Sequence, residues 1–178
     1  MPYDPPPEIA GLSLAELADA VAARSLPPVE EWSPAHVGDS RMTIRADGTW
    51  THEGSPITRP AMVRAFASLL VRDDAGYWLV TPAQKLSVEV EDAAFIATDM
   101  TARDGALAFR LNTDEIVIAG PDHPLLARGD AETPALYLGV RRGCEARLNR
   151  STYEQLAHLA DADWRVASRG KIFSLVPS

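Results

Sequence analysis

Polar side chains near the middle of the chain have the residue types that bind anions. Arg59 stands at the predicted start of a helix, where its guanidinium would add a five-donor fork to the positive end of the helix dipole. A structural ion pair with Glu53 is the alternative use of this arginine. Arg59 is therefore the first candidate for holding an anionic group, and Glu53 is the residue that would fix its orientation.

A second polar group lies in the short connection at residues 81–85, between two apolar runs. Thr81, Gln84 and Lys85 would sit where two strands end, and polar side chains at strand ends can face a groove. A solvated turn is the alternative interpretation of the same residues. Lys85 is the cation of this group and the second candidate for binding an anion.

Trp50 and His52 are two residues apart in a β-rich run, so they share one face of a strand. They could stack on a planar ligand and hydrogen-bond to it, or the indole could belong to the core. A basic set near the C-terminus comprises Arg141, Arg142, Arg147 and Arg150, and it is interpreted as a solvated face first and an anion site second. The candidate ligand-binding residues are Trp50, His52, Glu53, Arg59, Thr81, Gln84, Lys85 and Arg141.

The sequence lacks the familiar motifs of phosphate loops, dinucleotide sites and nucleophile elbows. His52 and Glu53 begin like a zinc-protease helix, but Gly54-Ser55-Pro56 follows and the second histidine is missing. The four histidines are scattered and the single cysteine cannot complete a thiolate set, so we expect no metal and no cofactor. We assign no catalytic residue, because no nucleophile accompanies His52, Glu53 and Lys85.

Composition limits the classes of protein to which the chain can belong. Its 178 residues are 46% hydrophobic, enough for one domain or two small ones with a shared interface. Its net charge is -8 and residues 1–97 carry most of the acidity, which opposes binding of long nucleic acid. The lone Cys144 fits a reducing compartment, and neither a membrane span nor a signal peptide is recognisable. We therefore expect a cytoplasmic protein that does not enter a membrane.

Alternating and helical spacings predict the elements that position these residues. Half of the 14 prolines fall in residues 1–38. They bracket one predicted helix, which Ser13 and Glu16 would cap. Residues 42–52 predict a hairpin, residues 58–70 a helix capped by Thr58, and residues 77–81 and 86–91 two strands. Further strands are predicted at residues 95–98, 106–111 and 115–119, followed by a long loop at residues 120–134.

The pattern of the first half returns near the C-terminus. Residues 136–141 and 144–148 predict a second hairpin, a helix capped by Ser151 and Glu154 follows, and residues 172–176 predict a last strand. The pattern suggests a duplicated hairpin-helix-strand core, although any α+β chain contains hairpins followed by helices. We predict an α+β fold with an N-terminal helix and connector at 1–38, a first repeat at 39–97 and a second at 98–178.

Three motifs resemble the bacterial domain-of-unknown-function family 1285. They are the run from Ile44 to Arg59 with Asp47-Gly48-Thr49-Trp50 and His52-Glu53-Gly54-Ser55-Pro56, the segment Leu79-Val80-Thr81-Pro82 with Lys85, and Val90-Glu91-Asp92-Ala93 with Phe95. The resemblance covers the chain from about residue 42 onward. Gln84 and Ala94 depart from the family pattern, and Gln84 removes an acidic neighbour that would pair with Lys85.

The resemblance implies an α+β fold with two small domains, of which the C-terminal one is superficially similar to pleckstrin-homology-like domains. It also implies a ligand-binding protein, with a nucleotide-based ligand at the interface of the two domains and a role in signal transduction or the stress response. On this basis we expect Arg59 and Lys85 to hold a phosphate while Trp50 packs on the planar part of the ligand. The alternative is a protein-interaction module without a small ligand, which would use an exposed sheet face or residues 120–134.

Overall fold

The computed structural model describes residues 26–178. The helix predicted around Ser13 and Glu16 lies outside these residues. A short 3-10 helix, Val29–Glu31, precedes the first strand, and two α-helices follow later in the chain, α1 (Pro60–Ala67) and α2 (Arg150–Ala157). No helix within residues 26–178 is long and apolar enough to cross a membrane. Most of the residues in regular secondary structure within 26–178 are therefore in strands.

The first domain, residues 36–90, is a six-stranded sheet. Its strands are β1 (His36–Ile44), β2 (Trp50–His52), β3 (Ser55–Pro56), β4 (Leu70–Asp73), β5 (Gly76–Val80) and β6 (Gln84–Val90). Their order across the sheet is β3-β2-β1-β6-β5-β4, with α1 between β3 and β4 in sequence. All neighbours are antiparallel except β1 and β6, which run parallel at the centre of the sheet.

The second domain, residues 95–174, contains a six-stranded sheet and a small hairpin. The sheet has β7 (Phe95–Arg103), β8 (Ala106–Leu111), β9 (Ile116–Ile118), β10 (Leu125–Gly129), β11 (Pro134–Arg141) and β12 (Cys144–Leu148). The hairpin, β13 (Arg165–Ser168) and β14 (Lys171–Ser174), packs against this sheet. The Ser168 hydroxyl fixes the hairpin there, since it donates to the Ala119 carbonyl and accepts from the Leu107 N–H.

The two six-stranded sheets have the same topology. The second sheet has the order β10-β11-β12-β7-β8-β9, and its first and last strands, β7 and β12, are again the central parallel pair. Two antiparallel three-stranded meanders are thus joined in the same way in each domain. The repeated unit is a whole sheet and differs from the predicted hairpin-helix-strand unit, because α1 lies between the meanders of its domain whereas α2 follows the last strand.

The matching topology also changes which hairpins correspond. The hairpin of β1 and β2 occupies the place that β7 and β8 occupy in the second domain, whereas β11 and β12 correspond to β5 and β6. The repeat predicted from the sequence instead matches the first hairpin with the hairpin of β11 and β12. The sheets themselves separate at residues 91–94, so the predicted boundary after residue 97 falls inside β7.

One apolar cluster connects the two domains. Ile44, Trp50 and Leu70 of the first domain belong to the same buried cluster as Phe95 and Leu138 of the second. The turns that contain Gly48 and Gly143 also pack closely against the other domain, where no side chain would fit at either glycine. A Cβ atom at Gly48 would lie 2.7 Å from the Ile96 side chain, and one at Gly143 would lie 2.7 Å from the Arg72 carbonyl. The Arg72 N–H donates to the Arg142 carbonyl at 2.9 Å, so edge strand β4 is bonded to the turn between β11 and β12.

Both helices begin at residues other than those predicted. Arg59 is the N-cap of α1, without a side-chain cap, and Pro60 fills the first helical position. Asn149 caps α2 and accepts a hydrogen bond from the Thr152 N–H, so the predicted capping box at Ser151 and Glu154 is wrong. The predicted loop at residues 120–134 is wrong as well, because it contains strand β10.

Candidate functional site

A cavity of about 560 Å³ lies where the connector at residues 26–35 crosses the first domain and meets a turn of the second. Val71 and Val80 alternate along β4 and β5 with Leu70 and Leu79, which face the main core. The cavity therefore lies on the opposite face of the first sheet. Its lining residues are Val29, Glu30, Trp32, Ser33, Pro34, Val71, Arg72, Val80, Lys85 and Arg142.

Lys85 enters this cavity from the start of β6. Its Nζ lies 3.1 Å from Asp73 Oδ2 and 4.5 Å from the centroid of the Trp78 ring. The Trp78 indole N–H and the Lys85 ammonium both donate to Asp73, and these hydrogen bonds lower the pKa of Asp73 to about 2. The acidic partner of Lys85 is therefore Asp73, from the turn between β4 and β5, rather than a neighbour in sequence. One of the three ammonium donors is used, which leaves the others for a ligand.

Arg142 closes the cavity from the second domain. It sits in the turn between β11 and β12 with φ of 51°, and its side chain is 9% exposed. Its Nε donates to Glu30 at 2.6 Å, and its two terminal nitrogens donate to the carbonyls of Ser68 and Pro27 at 2.7 Å each. The hydrogen bond from Arg142 holds the pKa of Glu30 below its usual range. One guanidinium thus joins the second domain, the first domain and the connector.

Arg72 lies at the rim of the cavity on edge strand β4. Its Nη1 donates to Glu145 at 3.2 Å, and its guanidinium lies 5.3 Å from the centroid of Tyr77. Glu145 is a buried carboxylate, and it also pairs with Arg128 at 2.8 Å. Arg72 is 44% exposed, but it alternates with Val71 along β4 and shares the face of Leu70, so its guanidinium lies on the other side of the sheet from the cavity.

The remaining wall of the cavity is apolar and aromatic. Val29 and Val80 are 3% and 6% exposed, yet neither belongs to the apolar cluster that joins the domains. They form a separate small core beneath the connector. Trp32 is half-buried at the end of this connector and lines the same cavity. An indole beside valine side chains can cover the face of a planar ring.

The charges at this site nearly balance before any ligand binds. Each of the three cations has one carboxylate partner, in the pairs Lys85 with Asp73, Arg142 with Glu30, and Arg72 with Glu145. The carboxylates fix the orientation of the cations and cancel much of their field. The site therefore suits a ligand with a small anionic group better than a polyanion.

The predicted ligand residues do not form one group. Trp50 is 1% exposed and stacks on Phe66 with a centroid distance of 6.3 Å, which places it in the core. Glu53 pairs with Arg41 at 3.0 Å, so the expected pair between Glu53 and Arg59 is wrong. His52 is exposed at the end of β2.

Arg59 is exposed and its side chain makes no hydrogen bond or ion pair with any residue in 26–178. Of the other candidates, Thr81 organises its own turn, because its Oγ1 accepts from the Gln84 N–H at 3.1 Å. Arg141 is 14% exposed, pairs with the buried Glu115 and donates to the Ala67 carbonyl at 3.1 Å. Lys85 alone among the predicted residues lines the cavity beneath the connector.

Sequence reasoning missed every lining residue of this cavity except Lys85, including the charged and aromatic ones, Glu30, Trp32, Arg72 and Arg142. Arg142 was part of a basic set interpreted first as a solvated face. The Arg142-Gly143 pair does signal a tight turn, and a turn residue can be buried when the turn docks on another domain. Nothing in the spacing of Glu30 and Arg142, which are 112 residues apart, indicates that they meet.

No group of three or more histidine, cysteine, aspartate or glutamate side chains within the described ranges is arranged to hold a metal ion. Cys144 is buried, and burial raises the pKa of its thiol to about 11. The side chains that line the cavity can form hydrogen bonds, charge pairs and ring contacts.

Two family models match the chain end to end from the connector onward. Residues 27–93 match the N-terminal domain of DUF1285, a domain of unknown function, and residues 94–175 match the C-terminal domain of the same family. The change from one model to the other falls at residues 93–94, between β6 and β7. No curated protein matches the chain.

Two solved structures are similar to this one. A crystal structure of a DUF1285 family protein from Silicibacter pomeroyi DSS-3 has a TM-score of 0.79 at 37% identity, covering 93% of this chain and 95% of that one. A DUF1285 family protein from Shewanella baltica OS155 has a TM-score of 0.55 at 25% identity, covering 66% of this chain and 90% of that one. The two-domain, mostly β architecture is therefore shared with crystal structures.

Proposed function

This chain belongs to the DUF1285 family, and from that premise we propose that it is a binding protein for a small nucleotide-like ligand. The site is the cavity lined by Trp32, Lys85, Arg72 and Arg142. Trp32 packs on the planar part of the ligand, and the ammonium of Lys85 binds its anionic group. The ring contact thus moves from Trp50 to Trp32, and Lys85 binds the anionic group without Arg59.

One observation carries the proposal, namely that the charged groups of Lys85 and Arg142, an indole and an apolar floor line a single cavity of about 560 Å³. Ligand pockets of proteins commonly have volumes of about 300 to 1,000 Å³, an apolar lining and a few convergent polar groups. Two charge-assisted hydrogen bonds of about 1.5 to 3 kcal/mol each, with ring stacking added, suffice for micromolar affinity. The cavity has the size and donors for such a ligand.

The location of the cavity supports a regulatory role for the protein. Arg142 reaches it from the second domain, whereas Lys85 reaches it from the first. A ligand that bridges them stabilises one arrangement of the two domains, which is how a binding protein passes a signal to a partner. We place this activity in the cytoplasm, in signal transduction or a stress response. We also propose that the second domain is superficially pleckstrin-homology-like, since a helix follows its last sheet strand.

The test is a thermal-shift screen of the purified protein against nucleoside monophosphates, diphosphates and dinucleotides, followed by calorimetric titration of each hit. A ligand that binds the folded state alone raises its stability by about 2.7 kcal/mol at a hundredfold excess over its dissociation constant. We expect Lys85→Ala to weaken binding at least about tenfold, because a charge-assisted contact is lost. The matched control is Arg59→Ala, which removes an exposed cation that does not line the cavity.

Lys85→Ala and Arg59→Ala together distinguish a ligand site in this cavity from the anion site predicted at the start of α1. Binding that is lost in Lys85→Ala and kept in Arg59→Ala supports the cavity beneath the connector. Binding lost only in Arg59→Ala would move the site to the start of α1 and overturn the assignment. A Trp32→Leu variant that binds as tightly as the wild type would refute the proposed ring contact. No shift with any compound would refute nucleotide binding altogether.

The second candidate function is a protein-interaction module, and β10 is the observation that favours it. This strand is an edge of the second sheet, and Leu126 on it is 39% exposed. An edge strand can pair with an extended peptide of a partner protein. Replacement of Ala127 by proline blocks such pairing, so loss of a co-purifying partner in that variant would support this function.

A further inference from the structure

Glu30 holds Arg142 from a segment that has few polar attachments to the body of the protein. Within the described chain, the hydrogen bonds that join residues 26–35 to the two domains end on Arg142, at the Glu30 carboxylate and the Pro27 carbonyl. The other hydrogen bonds of this connector are local and join backbone groups within residues 27–32. Its remaining attachment is apolar, through the buried Val29.

The two members of this ion pair differ greatly in exposure. The Arg142 side chain is 9% exposed and fixed by two carbonyls, whereas the Glu30 side chain is 66% exposed. The carboxylate can therefore leave by a rotation of its side chain, while the guanidinium stays. Because a carboxylate and a phosphate accept the same N–H donors, the position of Glu30 is one that an anionic ligand group can take.

Resting on the proposed function, we propose that Glu30 is an internal competitor of the ligand. Its carboxylate occupies Arg142 in the free protein, and the anionic group of a bound nucleotide takes its place. Lys85 and Glu30 line the same cavity, so an anion held by Lys85 also meets the negative charge of Glu30 unless that side chain moves away. Binding thus removes one of the two polar attachments of the connector to Arg142.

This arrangement predicts that loss of a carboxylate tightens binding. Glu30→Gln keeps the size of the side chain and removes its charge, so adenosine 5′-monophosphate should bind about three to five times more tightly, the range expected for release of an exposed ion pair. Inorganic phosphate, titrated in parallel, should gain by a similar factor because the anionic group alone makes the exchange. Hydrogen exchange at residues 29–32 should become faster when the wild-type protein is saturated with the monophosphate.

The control is the neighbouring residue. Glu31→Gln removes the same charge one position away, and Glu31 is exposed and makes no side-chain bond to a residue in the described chain. A gain confined to Glu30→Gln supports competition, as does binding that becomes detectable only in that variant. An equal gain in both variants would show a general charge effect and overturn the proposal.

The same titrations separate this inference from the proposed function. Equal affinity in the wild type and Glu30→Gln, together with loss in Lys85→Ala, overturns the competition and leaves the site in place. Absence of binding in every variant, including Glu30→Gln, overturns both. Thermal unfolding of each variant confirms that the exposed substitutions leave the fold intact.

Discussion

Replacement of Arg141 by methionine should destabilise the protein strongly, although the sequence made this residue a ligand candidate. The guanidinium is 14% exposed, pairs with Glu115, which is 6% exposed, and donates to the Ala67 carbonyl of the other domain. It also lies 5.0 Å from the centroid of Phe95. Methionine keeps the apolar packing against that ring and removes the charge, so Glu115 keeps its hydrogen bond from Thr113 but loses the guanidinium.

The size of the effect follows from burial. Breaking a buried ion pair by removing one partner costs about 3 to 5 kcal/mol, since the other charge stays in a site of low polarity. Glu115 retains the hydrogen bond from Thr113, which favours the lower end, about 3 kcal/mol. Removing both charges, in Arg141→Met with Glu115→Gln, should cost only about 1 kcal/mol, because replacing both partners avoids the buried charge. The variants therefore differ by about 2 kcal/mol.

Urea unfolding measures this difference. With a slope of about 2 kcal/mol/M, the single variant should lose about 1.5 M in its midpoint while the slope stays unchanged. Arg150→Met is the control, because Arg150 is 92% exposed and its pair with Glu154 is worth at most about 0.5 kcal/mol.

Two results would refute the reasoning. One is a cost below about 1 kcal/mol for Arg141→Met, and the other is a double variant no more stable than the single one. Intact stability combined with lost nucleotide binding would instead restore Arg141 as a ligand residue.

Three further outcomes are expected. Gly143→Ala should lower the melting temperature more than Gly105→Ala, since both have φ of 78° but only at Gly143 would the new Cβ meet a carbonyl, that of Arg72, at 2.7 Å. Cys144, with its pKa raised to about 11 by burial, should resist iodoacetamide at pH 8 until the protein unfolds. Hydrogen bonds from an indole and an ammonium hold the pKa of Asp73 at about 2, so its stabilisation should be complete above its ordinary pKa of 3.8 and be lost as the pH falls towards 2, which carboxyl NMR and acid unfolding can follow.

Alternation of apolar and polar residues predicted most long strands of this fold. The strand predicted at residues 144–148 matches β12 at both ends, and those at 77–81 and 86–91 match β5 and β6 within two residues. Strand β4 was missed because Leu70 continues the helical spacing of Val63 and Phe66, although the chain leaves the helix at Ser68. Local spacing does not show where a helix ends when the next strand begins with an apolar residue.

The candidate site was harder to predict than the fold because its partners are distant in sequence. Lys85 was identified from its place between two strands, which is a local signal. The residues around Lys85 could not be identified in this way, since Arg142 and Glu30 come from the second domain and the connector. The exposed Arg59 illustrates the opposite case, in which a local signal for an anion site lacks a cavity to support it.

The parallel central pair of each sheet has a consequence for how the chain folds. His36 of β1 pairs with Gln84 of β6, and Phe95 of β7 pairs with Ala146 of β12, so each sheet is completed by contacts roughly fifty residues apart. Such non-local pairing slows folding, because the closing loop must be ordered before the contact forms. During synthesis the first sheet stays open until β6 leaves the ribosome, and until then β1 and β5 each have an unpaired edge. The nascent chain is thus most prone to aggregation just before residue 90 emerges.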